Sequence, residues 1–261
     1  MKGTGTVKRA IVVGASSGIG REVALLLAAE GWTVGVASRR TEMLEKVRLE
    51  SAHRTRQESA PTAASPGMVS AFIDVTAADA SERLLSLIAA LGGIDLLFYA
   101  SGIGNKNIEL DETVEMATVQ TNAVGFTRMV GTAYRYMATH GGGHIAVVSS
   151  IAGTKGLGAA PSYSATKSFQ STYIQALEQQ ARMRGLPIRF TDIRPGFVAT
   201  ALLGDGAGYP MLMDVSVVAR DIVRSINAGR HVRIIDRRWR LLTFFWRHIP
   251  DGLWRRITWA K

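Results

Sequence analysis

With 261 residues, 47% of them apolar and 20% charged, the chain can build one sizeable α/β domain and is too apolar to be disordered throughout. It contains no cysteine, which excludes disulfides, thiolate nucleophiles and thiolate metal sites. The formal charge is +10, but residues 230–261 hold nine Lys/Arg and two Asp, leaving the rest nearly neutral, so a uniformly basic nucleic-acid-binding fold is not expected.

The opening MKGTGTVKRAIVVGAS has too short an apolar run for a signal peptide or a membrane span, so a cytoplasmic location is expected. Strands are predicted at RAIVV from Arg9, TVGVAS from Thr33, VSAFI from Val69, IDLLFYA from Ile94, HIAVVS from His144, IRFTDI from Ile188 and HVRII from His231. Several are near-continuous apolar runs, which suit strands buried on both faces of a parallel sheet. Between them GREVALLLAAEG, SERLLSLIAAL and residues 162–184 read as helices, with Gly31 and Gly185 as stops. The polar stretch 54–66 reads as an exposed loop. Such alternation predicts an α/β fold: a doubly wound parallel sheet of about seven strands in one domain, 1–236, with 237–261 as a basic aromatic extension.

The first chemical signal is VVGASSGIG, directly after the first strand and opening a helix. Gly14 permits the tight turn, while Gly18 and Gly20, with Ser16, Ser17 and Ile19 between and beside them, let backbone amides approach a pyrophosphate. The second strand ends in Ser38-Arg39-Arg40, where an acidic residue would bind the ribose 2′-hydroxyl of NAD. Two guanidinium groups there suit a 2′-phosphate instead, so the expected cofactor is NADP(H). Tyr163 and Lys167 stand four residues apart, on one face of a helix. A tyrosine pKa near 10 is too high for efficient acid–base work at neutral pH, and a neighbouring ammonium is expected to lower it. Ser150 carries a hydroxyl that can hydrogen-bond a substrate oxygen. His53, His140, His144, His231 and His248 form no spaced pairs with carboxylates, so no metal site is expected.

The G-x-x-x-G-x-G spacing together with Tyr163-Ser-Ala-Thr-Lys167 resembles the short-chain dehydrogenase/reductase family, over about residues 8 to 235. Asn122, 28 residues before Ser150, and Tyr163, 13 after it, match that family's Asn-Ser-Tyr-Lys set. Arg194-Pro195-Gly196-Phe197-Val198-Ala199-Thr200 resembles its nicotinamide-side segment. The resemblance implies a Rossmann-type fold and a homodimer or homotetramer. It also implies that Lys167 holds the nicotinamide ribose and that Asn122 extends a proton relay through water. Asp74 and Val75 would lie against the adenine, Ala100, Ser101 and Gly102 along the cofactor, and Pro195, Gly196, Val198 and Thr200 at the nicotinamide. Two departures stand out: Val13 replaces the usual threonine, and Tyr99-Ala100-Ser101-Gly102 replaces Asn-Asn-Ala-Gly. Because both polar partners are lost together, the change reads as a repacked floor.

By the same resemblance the substrate pocket is formed by the residues after Ser150, by 102–106 and by the loop after Thr200. Leu202, Leu203, Tyr209, Met211, Leu212 and Met213 would make an apolar lid, and Lys155 is either an anion selector or a plain surface lysine. The expected activity is hydride transfer to or from a lipophilic ketone, aldehyde or secondary alcohol. The alternatives are a carrier- or CoA-linked 3-oxoacyl reductase and, from another class, a non-catalytic nucleotide sensor. In the tail a helix from Arg237 would present Trp239, Leu242, Phe245, Trp246 and Ile249 on one face and Arg237, Arg240 and Arg247 opposite, before a break at Pro250. Trp239, Trp246, Trp254 and Trp259 need a covering surface, which is either protein, as a subunit contact, sheet edge or substrate lid, or an anionic membrane.

Overall fold

The computed structural model describes residues 7–58, 67–203 and 208–258. Seven strands, β1 (Arg9–Val13), β2 (Thr33–Ser38), β3 (Met68–Phe72), β4 (Leu96–Tyr99), β5 (Gly143–Val148), β6 (Ile188–Arg194) and β7 (Val232–Ile234), form one sheet. Its order is β3-β2-β1-β4-β5-β6-β7, and every pairing is parallel. Chain direction across the sheet reverses between β1 and β4, so a crevice opens there beyond the carboxyl ends of the strands.

The helices are α1 (Gly18–Ala29), α2 (Thr41–Glu58), α3 (Ala80–Leu91), α4 (Glu112–Val119), α5 (Phe126–Thr139), α6 (Pro161–Met183), α7 (Val215–Asn227), α8 (Arg237–Arg247) and α9 (Asp251–Trp254). Alternation along β1 sends Ala10 and Val12 to one face of the sheet and Ile11 and Val13 to the other. The first face packs Leu27 of α1 and Ile222 of α7; the second packs Leu84 of α3, Met129 of α5 and Ile174 of α6. Trp239 of α8 is buried in the first core, so the start of the tail is a core element rather than an appendage.

The stretch expected as a loop from 54 to 66 starts as helix. α2 continues to Glu58, and the Glu50–Arg54 pair, one helical turn apart, bridges the point where the loop was expected to start. Residues 59–66 of that loop lie outside the described residues. α6 begins with Pro161 in its first turn, where a missing N–H costs nothing. Its buried side is unusually polar: Ser162, Ser164, Thr166, Lys167 and Gln170 are all buried, with Lys167 reaching the end of β5 and Gln170 the turn that holds Asn122. An apolar stripe would have sufficed for packing, so this polar stripe marks where the chemistry lies.

Candidate active site

The glycine loop is held so tightly that side chains are excluded. Gly14 has φ +89°, and a Cβ there would stand 2.6 Å from the Ser101 amide nitrogen; a Cβ on Gly20 would stand 2.2 Å from the Gly14 carbonyl oxygen. The loop is thereby pressed against residues 100–102, with the amides at the start of α1 turned to the crevice. Val13 and Tyr99 are register partners on neighbouring strands, both buried. Tyr99 packs edge-on against Phe126 at 5.4 Å. Its hydroxyl lies near Ser101 but outside good hydrogen-bond geometry, and burial pushes the phenol well up. An apolar valine and a packed aromatic thus replace the polar pair, as the double departure suggested.

At the end of β2 the Arg40 amide donates to Ser38 Oγ at 3.1 Å, and the Arg40 guanidinium folds back over the glycine loop. It donates to Ser16 Oγ at 2.8 Å and to Ser17 Oγ at 2.7 Å. Asp74 is pushed up by burial, but hydrogen bonds from the Thr76 amide and hydroxyl, and the charge of Arg39, more than offset this and hold it below the usual carboxylate range.

At the other end of the crevice α6 brings Tyr163 and Lys167 beside Ser150, which follows β5. Ser150 Oγ accepts from the Ala152 amide at 3.1 Å and lies near enough to the Tyr163 phenol to influence it. The Tyr163 ring packs on Gly104, where a Cβ would stand 2.4 Å from the ring. Burial pushes the Tyr163 phenol up, only partly opposed by Ser150. This reverses the expected lowering by Lys167, whose ammonium is 5.8 Å from the ring centroid and donates elsewhere, to the Val148 carbonyl at 2.9 Å and Gln170 Oε1 at 3.0 Å. Burial brings Lys167 itself down to about 8, against the opposing charge of Asp192.

Asn122 sits in a π-turn, Gln120–Gly125, between α4 and α5, and is fully buried. Its side chain grips Ile103, accepting from the amide at 2.9 Å and donating to the carbonyl at 2.7 Å. Its own main-chain carbonyl accepts from Gln170 Nε2 at 2.8 Å. Gln170 therefore links Lys167 to Asn122 directly.

One cleft of about 1800 Å³ is lined by Gly14, Ser16, Ser17, Gly18, Ile19 and Gly20, by Ser38, Arg39, Arg40, Asp74 and Val75, and by Ala100, Ser101 and Gly102. Ser150, Tyr163, Lys167, Pro195, Gly196, Val198 and Thr200 line it too. Of the expected site residues, Asn122 alone stands behind the wall. Residues 8–206 match the family described as short chain dehydrogenase. The chain belongs to the short-chain dehydrogenases. Its relatives include an uncharacterized oxidoreductase of Myxococcus xanthus, 34% identical over 83% of this chain and 84% of that one. An alcohol dehydrogenase of Thermococcus sibiricus solved with 5-hydroxy-NADP superposes with a TM-score of 0.75 at 21% identity, covering 88% of this chain and 96% of that one. A variant actinorhodin polyketide ketoreductase solved with NADPH does so with a TM-score of 0.74 at 23% identity, over 88% of this chain and 95% of that one. The chain is thus an oxidoreductase of this family on a Rossmann-like sheet.

The cleft of this short-chain dehydrogenase is roofed by the loop after Thr200 and by the tail. Leu202, Leu203, Tyr209 and Met211 line the cleft, whereas Met213 is pinned in the core by a bridge to Val198 and Leu212 faces outward. The expected lid therefore ends at Met211. The tail adds Leu242, Trp246, Trp254 and Ile257 to the lining. Trp239 lies edge-on to Phe197 at 5.4 Å, and a Cβ on Gly196 would stand 2.4 Å from its indole. The Trp246 indole donates to Thr154 Oγ1, and that of Trp254 to the Gly156 carbonyl at 2.7 Å. Lys155 lines the cleft and is not a free surface lysine. It pairs with Asp251 at 2.6 Å and donates to the Ile249 carbonyl at 3.0 Å, tying the tail to the segment after Ser150.

The face of α8 also differs from the expected one: Trp239, Leu242, Thr243 and Trp246 turn inward while Phe245 is 62% exposed. Thr243 can be buried because its hydroxyl donates to the Trp239 carbonyl at 2.8 Å. Trp259 lies outside the described residues. Sequence reasoning missed Gln170, and offered the substrate lid only as one of several surfaces for Trp246 and Trp254, which line the cleft. The spacing could have found Gln170, which is seven residues after Tyr163 and three after Lys167, hence on the same helical face.

Proposed function

We propose that the protein is an NADP(H)-dependent oxidoreductase acting on the carbonyl/alcohol pair of an apolar small molecule, with Tyr163 as the proton donor and acceptor. The observation that carries this reading is the convergence of Ser150, Tyr163 and Lys167 at one end of a cleft whose other end is a glycine cradle crossed by Arg40. A nicotinamide dinucleotide fits that cradle: the missing side chains of Gly14 and Gly20 let the loop close on itself and on residues 100–101, and the donors offered beside the cleft are backbone amides, serine hydroxyls and a guanidinium. When bound, the cofactor supplies or accepts the hydride.

The protein's part is to hold, orient and protonate. Arg40, Ser16 and Ser17 would grip a 2′-phosphate, and no carboxylate stands at Ser38 to repel it. Asp74 and Val75 would border the adenine, and Pro195 to Thr200 the nicotinamide. With its phenol held up by burial, Tyr163 stays protonated at neutral pH, which suits donation to a substrate carbonyl oxygen. Ser150 holds that oxygen beside it. As the proton leaves, the Lys167 ammonium stabilises the phenolate in a site of low dielectric. Asn122 and Gln170 keep Lys167 and the 102–104 segment in place. The roof supplies Leu242, Trp246, Trp254 and Ile257, so the substrate is expected to be apolar. A panel of apolar ketones, aldehydes and acyl thioesters with NADPH and NADH tests this by the loss of nicotinamide absorbance. NADPH-dependent reduction of an apolar ketone or aldehyde is expected. Cofactor binding with no turnover on any member would leave a nucleotide sensor as the better reading.

A further inference from the structure

The tail has a second face, pointing away from the cleft. Leu241, Phe244 and Phe245 are 61%, 52% and 62% exposed, and at 100° per residue they share the arc opposite Trp239, Thr243 and Trp246. Arg237 lies within that arc, Arg240 and Arg247 border it, and Arg247 stacks against Phe244 at 5.6 Å. Leu253 of α9 adds a further apolar side chain, 56% exposed. Both acids of the tail are engaged elsewhere, Asp236 with Arg238 and Asp251 with Lys155. Among the described residues Arg237, Arg240 and Arg247 have no carboxylate partner.

We propose that this outward face of α8 docks on an anionic lipid surface, with Leu241, Phe244 and Phe245 entering the interface and the arginines meeting the headgroups. Three adjacent large apolar side chains turned to solvent on one helix need a partner surface. A second copy of the chain fits poorly, because face-to-face packing would bring two sets of arginines together with no acid on the arc to separate them. An anionic bilayer offers apolar depth and negative charge together. Among the described residues no helix is long and apolar enough to cross a membrane, so the contact lies in the plane of the interface. The inference rests on the tail alone and does not depend on the reaction assigned to the cleft.

The test is co-sedimentation of the full-length protein with vesicles of phosphatidylcholine, alone or mixed with phosphatidylserine, at low and high salt. The protein is expected to pellet with the mixed vesicles at low salt, to release at high salt and to ignore phosphatidylcholine alone. Phe244→Ser with Phe245→Ser should weaken binding by roughly tenfold or more, since both rings leave the interface. Arg240→Gln with Arg247→Gln, at exposed positions that leave the packed face untouched, should weaken binding and reduce its salt dependence. Light scattering should give one mass for all three proteins. No pelleting with mixed vesicles at low salt overturns the proposal, as does undiminished binding by both variants. Equal binding to phosphatidylcholine alone removes the charge argument and overturns it too. A mass that falls in the Phe244/Phe245 variant assigns the face to a second copy instead.

Discussion

Below the cleft, Asn122, Lys167 and Gln170 are buried and hold one another through the Val148, Ile103 and Asn122 main chains, so each side chain has more than one restraint. Above it, the end of the tail is tied to the short segment 154–156 through Trp246, Trp254 and Lys155, and Leu242 and Trp246 also pack against the core. The floor is held by buried polar groups that restrain one another, whereas the end of the tail is held by side-chain contacts with one short segment and the core. Chemistry that needs sub-ångström placement belongs on the floor, and discrimination between substrates belongs to the roof. Trp239 joins the two, being core and tail at once.

The sharpest way to break this division is at the floor. Tyr163→Phe keeps the ring packed against Gly104 but removes the proton, so kcat should fall by roughly 10²-fold or more while cofactor affinity stays within a few-fold. A fall in affinity instead would mean that the phenol serves binding. Arg39→Ala with Arg40→Ala comes next. NADPH should weaken by about 1.5–3 kcal/mol per lost charged hydrogen bond, as read by fluorescence titration, and NADH far less. Equal weakening would take the 2′-phosphate away from these arginines.

Gly196→Ala probes the joint. Its Cβ would stand 2.4 Å from Trp239, and overpacking of this kind costs about 1–3 kcal/mol in urea unfolding. An unchanged midpoint would show that the tail yields freely even at Trp239.

His144 sharpens the comparison through pH. It is buried beside Thr191, and burial, aided by the charge of Arg189, holds it down to about 4, so the folded state favours the neutral ring. As pH falls from about 6.5 to the folded value, the unfolded chain takes up a proton that the folded chain does not, and stability drops across that window by roughly 1–3 kcal/mol. His144→Gln should flatten the acid limb of a urea series between those limits, whereas an unchanged slope would assign the limb to other groups. The smallest effect is expected at the roof. Lys155→Met should cost about 1 kcal/mol or less, because Asp251 is 73% exposed, yet raise KM for bulky apolar substrates with little change in kcat.

The parts of this molecule that were legible beforehand are those with local causes. Apolar runs gave the seven strands, the glycine spacing gave the cradle, and Ser38-Arg39-Arg40 gave the basic end of β2, because each depends on neighbours in the chain. Gln170 was not legible in the same way. It resembles any polar residue on a long helix until Asn122, 48 residues away, turns its carbonyl toward it. The Tyr163–Lys167 spacing correctly put both residues on one face, but electrostatics there depends on where the ammonium points and how much water is excluded. The rotation of α8 likewise turned on Thr243 satisfying its own hydroxyl, which lets a polar residue take a buried place and leaves Phe245 outside.

In the proposed reaction a hydride passes directly between a nicotinamide and a carbonyl carbon in the cleft. The most direct measurement uses NADPH carrying deuterium at the transferable position of its reactive face, with the best apolar ketone from the panel, and locates the label by mass spectrometry and NMR. One deuterium at the carbinol carbon of the alcohol, from the parent protein and not from Tyr163→Phe on the same timescale, is the expected result. An alcohol without label at that carbon from either reactive face of the cofactor, or equal rates from the two proteins, would contradict the account.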